Sequence, residues 1–534
     1  MGTTIRERCQ KVAGYFKTST IETIEAIAAA TGLSKSSVHR HQQAIQRRNQ
    51  YAESLWWETE VGSQWLKLLV IAVVYYFGIK QGVGAESLSS FFMAIHLEGQ
   101  VGTSASSLRK LEEQVRQTIV SYGEAQSPQC QPQPGQGICV GGDETFFGLP
   151  ILVMVELASG YILTEVECEN RDYATWLEQI GHWWNQKGWQ CHFMVSDRAK
   201  ALVKLAVDGL GCVSVSDWFH ALRALAQPLG SGIARKLSQL NKQQQTLAQQ
   251  IVRASSADAH HQLEQAMATL SLQQQQVSLA QPNYHQALHT LTQMMHPFHP
   301  LSQDWQLWSA LSHSLADPLA VFSTLASDYG TVKAHQAIAR FNTQIPSLAQ
   351  GIHAWWQWVV QALRAQSDDP QVQTWVLTAL LPWVYWQQQT DKTRQPELKS
   401  AYQQATERAY QHLVTHAMTA DIQDSDRQSW ISWCQWMVSK YQRSSSAVEG
   451  RNGYLSRLHH TARGLSAQTL QVLTILHNFD LRRADGTTAA QRLFGHSFPD
   501  VFEWVVARMG DLPLARRSSK AHQPKPLPTL PFPA

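Results

Sequence analysis

Charge is scarce in this 534-residue chain: Asp, Glu, Lys and Arg supply only 16% of it, against 44% hydrophobic residues. With 30 Gly and 20 Pro besides, the composition is that of a folded globular protein and excludes a largely disordered one. Cysteine is scarce too. The seven (Cys9, Cys130, Cys139, Cys168, Cys191, Cys212, Cys434) are odd in number and contain no CxxC, which excludes a disulfide framework and a paired-cysteine zinc site. Reduced intracellular thiols are expected. No apolar run is long: the longest, Leu68 to Ile79, has 12 residues, short of the ~20 that span a bilayer, and reads as a buried helix. The first 20 residues are polar and basic, without the apolar centre of a signal peptide. A cytoplasmic, nucleoid-associated protein with no membrane partner is expected. GxxxxGK[ST] and HExxH are also missing, which argues against ATP-driven chemistry and a zinc hydrolase. The 22 His are scattered, and the pair His459-His460 reads as part of a basic helix rather than a metal store.

The length suits about three domains at roughly 100–200 residues each. Charge is unevenly placed along them. Residues 1–50 hold 8 Lys+Arg against 3 Asp+Glu, residues 441–534 hold 12 against 6, and the middle holds 24 against 32. Basic ends around an acidic middle suit a polyanion such as DNA, although a solvated surface has the same composition.

Ile21, Ile24, Ile27 and Ala28 recur at helical spacing, Thr31-Gly32-Leu33 makes a turn, and Ser34 is an N-cap for a second helix from Lys35 to about Arg48. This predicts an N-terminal helix-turn-helix over 1–50. Its second helix offers Lys35, Ser36, Ser37, His39, Arg40, Gln42, Arg47 and Arg48 to phosphates and base edges. Residues 51–125 read as a helical linking or DNA-binding region, with helices at Glu86 to Ile95 and Ser104 to Tyr122. Gln126 to Gly137, with Pro128, Pro132, Pro134 and Gly135, reads as a linker.

Strand periodicity follows. Gly137 to Phe147, Leu149 to Glu156, Tyr161 to Glu167, Cys191 to Val195 and Cys212 to Val215 alternate with helices at Tyr173 to Lys187, Arg198 to Val207 and from Trp218. A mixed-sheet α/β domain over 137–229 is expected. Residues 230–440 lack strands. Ile233, Leu237, Leu240 and Leu247 share their spacing with Leu263, Met267, Leu270 and Val277, which predicts an antiparallel helical hairpin, and eleven of the 20 Trp between 301 and 440 mark a helical body. Residues 441–510 are helical and basic, and the proline-bearing 511–534 reads as a disordered tail. The fold class is multidomain α and α/β.

Asp143 lies in the middle of an apolar strand, where a carboxylate is costly unless it is paired or holds a cation. Asp197 ends the fourth strand, and Glu449 lies in Ser445-Ser446-Ala447-Val448-Glu449-Gly450-Arg451-Asn452. Three carboxylates from different elements can hold two Mg²⁺ ions, which activate the attacking oxygen and stabilise the leaving one in phosphodiester chemistry. Glu144 is an alternative to Asp143, because adjacent strand residues face opposite ways.

In order and context, Asp143, Asp197 and Glu449 resemble the catalytic residues of the insertion-sequence DDE transposases, whose RNase H-like domain is in one subclass interrupted by an all-helical insertion. The 252-position step from Asp197 to Glu449 looks like that subclass, with 441–510 as the second part of the core. Asp217-Trp218-Phe219-His220 is similar to the Cys/Asp-x-x-His signature after the second Asp in several such families. His477-Asn478-Phe479 and Asp485-Gly486-Thr487-Thr488-Ala489-Ala490 look like their C-terminal segments. Arg198 and Lys200 after Asp197, and Arg443, Arg451 and Arg457 around Glu449, suit a phosphate path, with Arg198 and Arg451 as auxiliary residues near the site. The resemblance implies Asp143, Asp197 and Glu449 as catalytic metal ligands for two Mg²⁺, with Mn²⁺ substituting, and Asp217 and His220 as auxiliary residues. It implies cleavage at terminal repeats, strand transfer into target DNA, and a homodimer or higher assembly on double-stranded DNA. A non-catalytic DNA-binding regulator or degenerate transposase, and a nuclease of the same fold without strand transfer, remain the alternatives.

Overall fold

The structure is a computed structural model describing residues 5–15, 23–133, 136–185, 187–462 and 464–515. Expectations for Ile21, for Pro134 and Gly135, and for the tail from Arg516 onward lie outside the described residues. Mixed α and α/β architecture is observed, with one five-stranded sheet.

The chain begins with helices α1 (Ile5–Gly14), α2 (Ile24–Thr31), α3 (Lys35–Arg48), α4 (Glu60–Val73, prolonged by a π-helical turn Val74–Ile79), α5 (Ala85–Ala94) and α6 (Ala105–Gln126). Strands β1 (Gly137–Phe146), β2 (Pro150–Glu156), β3 (Tyr161–Glu167), β4 (Gln190–Ser196) and β5 (Val213–Ser216) follow, with α7 (Tyr173–Asn185) before β4 and α8 (Lys200–Lys204) after it. Then come α9 (Trp218–Arg253), α10 (Ala257–Met294), α11 (Trp308–Tyr329), α12 (Val332–Gln366), α13 (Pro370–Trp375), α14 (Leu381–Lys392), α15 (Pro396–Thr415), α16 (Ala417–Asp421) and α17 (Asp424–Ser439). The last are α18 (Ser446–Ala462), α19 (Ala467–Phe479), α20 (Ala489–Phe494) and α21 (Val501–Arg508).

These elements form two compact units. The first comprises Met1–Cys130, Leu455–Thr488 and His496–Ala534, the second Gln131–Tyr454 and Ala489–Gly495. The segment 441–510, expected as one piece of the core, is therefore divided. Within the first unit α19 and α21 pack on α6: Tyr122 donates to the Pro499 carbonyl at 2.6 Å and meets Phe479 and Trp504 edge-on. Gly123 permits the approach, since a Cβ there would stand 2.7 Å from Ile475. An apolar helix face does not announce its partner, and this is why sequence placed α19 elsewhere.

Helices α1, α2 and α3 share a core of Cys9, Val12, Ala13, Ile27, Val38 and Ile45. Thr23 and Ser34 cap α2 and α3 by accepting from the amides of Ala26 and Ser37, and Gly32 at φ +69° ends α2 in a conformation that costs glycine little. Helix α1 was not legible, because only three small apolar side chains mark it in a basic stretch. The helix through α4 and its π turn runs 20 residues at mean hydropathy 1.4, longer than the strictly apolar run, with half of its most apolar stretch buried.

In the second unit the sheet order is β3-β2-β1-β4-β5, with β2 antiparallel to both neighbours and β1, β4 and β5 parallel. Helix α9 leaves this sheet and continues unbroken through Pro228, burying Leu225, Leu229 and Ile233, so no break separates 137–229 from 230–440. Its far half pairs with α10. Gln244 reaches Ser271 at 3.3 Å and Gln274 reaches Asn241 at 2.7 Å, equal and opposite steps along the two helices, as an antiparallel hairpin requires. Trp355, Trp375 and Trp386 are fully buried anchors of the helical body.

Candidate functional site

Asp143 on β1 lies opposite Val153 on β2, which lies opposite Glu165 on β3. Residues in one such row point to the same face of a sheet, so two carboxylates share a face that α18 covers. Arg451 of α18 takes only one of them: its guanidinium donates two bonds of 2.6 Å to Glu165, and both side chains are buried. Asp143 is left with an amide donor, the Asn452 Nδ2 at 3.1 Å.

Close packing holds α18 there. A Cβ at Gly141 would lie 3.2 Å from Val448, so the bare backbone of β1 lets the first turn of α18 settle on it. Glu449, the next residue, thereby faces Asp143. Across from it stands His220 in the first turn of α9. Asp217 positions both helices: its Oδ1 accepts from the His220 amide at 3.0 Å, capping α9, and its Oδ2 accepts from the amide (2.7 Å) and hydroxyl of Ser445 at the start of α18. The Trp218 amide also donates to the Arg443 carbonyl at 2.9 Å. The excursion from Trp218 to Arg443 therefore closes on itself through two short links.

One ligand atom from each of Asp143, His220 and Glu449 lies within 4.8 Å of the others. His220 Nε2 stands 2.8 Å from Glu449 Oε1, but off the line of a hydrogen bond, and that buried nitrogen has no hydrogen-bond partner. Burial pushes the Asp143 carboxyl up to about 7, helped by the charges of Glu449 and Asp197 and opposed by the Glu144 backbone and His220. Two carboxylates and an unsatisfied imidazole nitrogen, with no Lys or Arg among the described residues ion-paired to either carboxylate, are a donor set that fits a divalent cation.

Not every expected residue joins this cluster. Asp197 is exposed after β4, and its Oδ1 accepts from the Ala199 amide at 2.8 Å, so its charge acts on Asp143 while its carboxylate is outside the converging set. Arg198, at φ +65°, donates to the Ser214 carbonyl at 3.3 Å rather than lining a phosphate path. Arg451, expected in that path as well, is an internal pin. Glu144, on the opposite side of β1, is raised by burial and by the charge of Asp197, and held down in part by Arg171 at 3.6 Å and by Trp176.

Sequence reading missed Glu165 and Asn452. Asn452 lies three residues after Glu449 on the same helix face, so its signal was present, whereas a register shift in the β2–β3 pairing sets Ile162 opposite Val155 and Tyr161 opposite Glu156, so simple alternation along β3 could not place Glu165.

On α3, Lys35, Ser36, His39, Arg40 and Arg47 are exposed, Ser37 and Gln42 half-buried. Arg48 is a correction: it turns inward, with ion-pair bonds to Glu58 and both terminal nitrogens 3.3 Å from Cys9 Sγ. Among these residues Lys35 has an acidic partner, Glu25 at 3.0 Å, both well exposed.

A family model described as a family of unknown function, DUF6399, matches residues 376–521. The match includes Glu449 and Asn452 and none of the five strands. No similar curated protein and no similar solved structure was found.

Proposed function

We propose that the chain is a DDE transposase that cuts DNA at element ends and joins them to target DNA. The observation that carries this reading is the meeting of Asp143 and Glu449, from a strand and a helix 306 positions apart, in one cluster of ligand atoms with His220. A sheet in which β1 bears the first Asp, β4 leads to the second, and β2 alone runs against its neighbours accords with an RNase H-like core, and the capped pair α2 and α3 accords with a helix-turn-helix. Asp143 and Glu449 would hold divalent metal, with Asp197 brought in by rotation off Ala199. Mg²⁺ or Mn²⁺ there supplies charge stabilisation at the scissile phosphate and lowers the pKa of the attacking water. Among the chain's own groups, Asn452 orients the Asp143 carboxylate, Asp217 holds α9 and α18 in register, and His220 Nε2 offers a nitrogen donor beside Glu449. The nitrogen donor suits Mn²⁺ at least as well as Mg²⁺.

The test uses purified protein and labelled duplexes carrying the genomic sequence that flanks its reading frame. Metal-dependent nicks ending in 3′-hydroxyls, followed by joining to a supercoiled plasmid, are expected. Nicks without joined product would leave a nuclease, and binding without cleavage in either metal would leave a DNA-binding regulator.

For α3, Lys35→Ala and Arg40→Ala should each weaken binding to the same duplex and reduce the slope of log K against log salt by about 0.9, one phosphate contact apiece. Arg48→Ala should instead loosen α1–α3 by on the order of 2–3 kcal/mol, because it strands Glu58, whose side chain is only 6% exposed. Fluorescence anisotropy across a salt series and thermal melting separate the two effects. A slope change for Arg48→Ala equal to that of Arg40→Ala would refute the inward assignment.

A further inference from the structure

The helix of α4 and its π turn is apolar on both sides. Leu66, Val70, Ile71, Val73 and Val74 face the core of the first unit. On the other side Val61, Trp65, Leu68 and Tyr76 are 68%, 47%, 38% and 42% exposed, with Ala72 half-buried among them. Steps of four, three, four and four keep these five on one stripe along the helix, and the charge that reaches it is at its end, where Lys80 Nζ lies 4.9 Å from the Tyr76 ring and is paired with Asp480 at 2.7 Å. A helix apolar all round, in a unit that buries only half of it, leaves a surface to be covered.

We propose that this stripe is where two copies of the chain pair, helix against helix about a two-fold axis at Leu68. A two-fold interface must be complementary to itself: each contact occurs twice with the roles exchanged. Read in reverse about Leu68, the stripe sets Trp65 against the partner's Ala72 and Val61 against the partner's Tyr76, a large ring opposite a smaller side chain each time.

Area favours the same occupant. Aromatic side chains bury about 150–250 Å² each when fully covered, so the exposed parts of Trp65, Tyr76, Val61 and Leu68, with Trp56 packed beside Trp65 and Phe77 beyond Tyr76, offer roughly 500–600 Å² per copy. A stable interface takes about 800 Å² per partner, and the polar rim supplies the remainder. A lipid surface is the less suitable cover. Interfacial helices carry unpaired cations beside the apolar face, whereas Lys67 donates to the Met509 carbonyl and Lys80, over Tyr76, is ion-paired with Asp480 at 2.7 Å. The inference is independent of whether the chain cuts DNA.

Sedimentation of the full-length protein without DNA tests it. The wild type should be a dimer at micromolar concentration, and Leu68→Asp should raise the dimer dissociation constant at least about 100-fold with unchanged circular dichroism. Under copper-phenanthroline, and above the wild-type background, Leu68→Cys should cross-link to itself, while Val61→Cys should cross-link to added Tyr76→Cys protein more than to itself. A monomeric wild type overturns the proposal, and so does a Leu68→Asp variant that stays dimeric. Two further results would also overturn it by assigning the stripe another cover: flotation of the wild type with phosphatidylcholine vesicles, or a protein that dimerises only after deletion of residues 516–534.

Discussion

Asp143→Asn should lose DNA cleavage by about 10³-fold or more and yet melt higher than the wild type at pH 8 without metal. Both effects come from one charge. The carboxylate sits in a sheet row in which the Arg451 guanidinium is bonded to Glu165, and it faces Glu449. Its folded pKa of about 7 exceeds the ordinary carboxyl value near 4, so the native protein binds that proton more tightly than the unfolded chain. The resulting stability is complete below about pH 4 and is lost as pH rises through 7. At one pKa unit per ~1.4 kcal/mol, and discounting for partial exposure, ionisation costs on the order of 2 kcal/mol by pH 8. Asparagine avoids that cost, keeps the shape, and removes the metal-ligand charge. Calorimetry in EDTA at pH 5 and pH 8 should therefore show near-equal melting at the lower pH and a variant a few degrees higher at the upper one. Adding Mg²⁺ or Mn²⁺ at pH 8 should raise the wild type and leave the variant unmoved. Equal shifts in both would remove Asp143 from the metal site.

Asp217→Ala should be the most destabilising single substitution at the site although Asp217 is not part of the converging cluster. It deletes the cap of α9 and both bonds to Ser445, and it leaves those donors buried, since Asp217 is 2% exposed. A lost cap costs about 1 kcal/mol and each stranded buried donor about 1–3, so a loss of roughly 3–4 kcal/mol is expected in the second unit. Ser445→Ala, which removes one hydroxyl, should cost about 1 kcal/mol. Cleavage should fall in both in proportion to how far His220 and Glu449 drift apart. Hydrogen exchange gives the sharpest readout: in Asp217→Ala, amides near 218–222 and near 445–450 should lose protection together. Deprotection of one stretch alone would show that Asp217 does not couple the two helix starts.

Period and punctuation made much of the fold legible. The five strands, the cap at Ser34 and the α9–α10 hairpin depend on local chemistry: alternation, a hydroxyl acceptor, and apolar spacing repeated in two helices. Asp143 was legible for the same reason, because a carboxylate flanked by apolar strand residues is conspicuous without any knowledge of its neighbours. Glu449 needed the order of elements as well. His220 was placed beside the site through Asp217, but its approach to Glu449 was not foreseen.

The fate of each arginine was not legible. Arg48, Arg198 and Arg451 have the same composition signal as a phosphate-binding residue, and in the folded chain they satisfy Glu58, the Ser214 carbonyl and Glu165. A guanidinium takes whichever acceptor the fold brings within reach, and those acceptors lie 10, 16 and 286 positions away in sequence. The sequence by itself thus determined the local elements, the basic ends and the acidic pair Asp143-Glu144 of β1. Tertiary structure decided which carboxylate kept its charge uncompensated, because a sheet row and a covering helix allotted Arg451 to Glu165 and left Asp143 to meet Glu449 and His220.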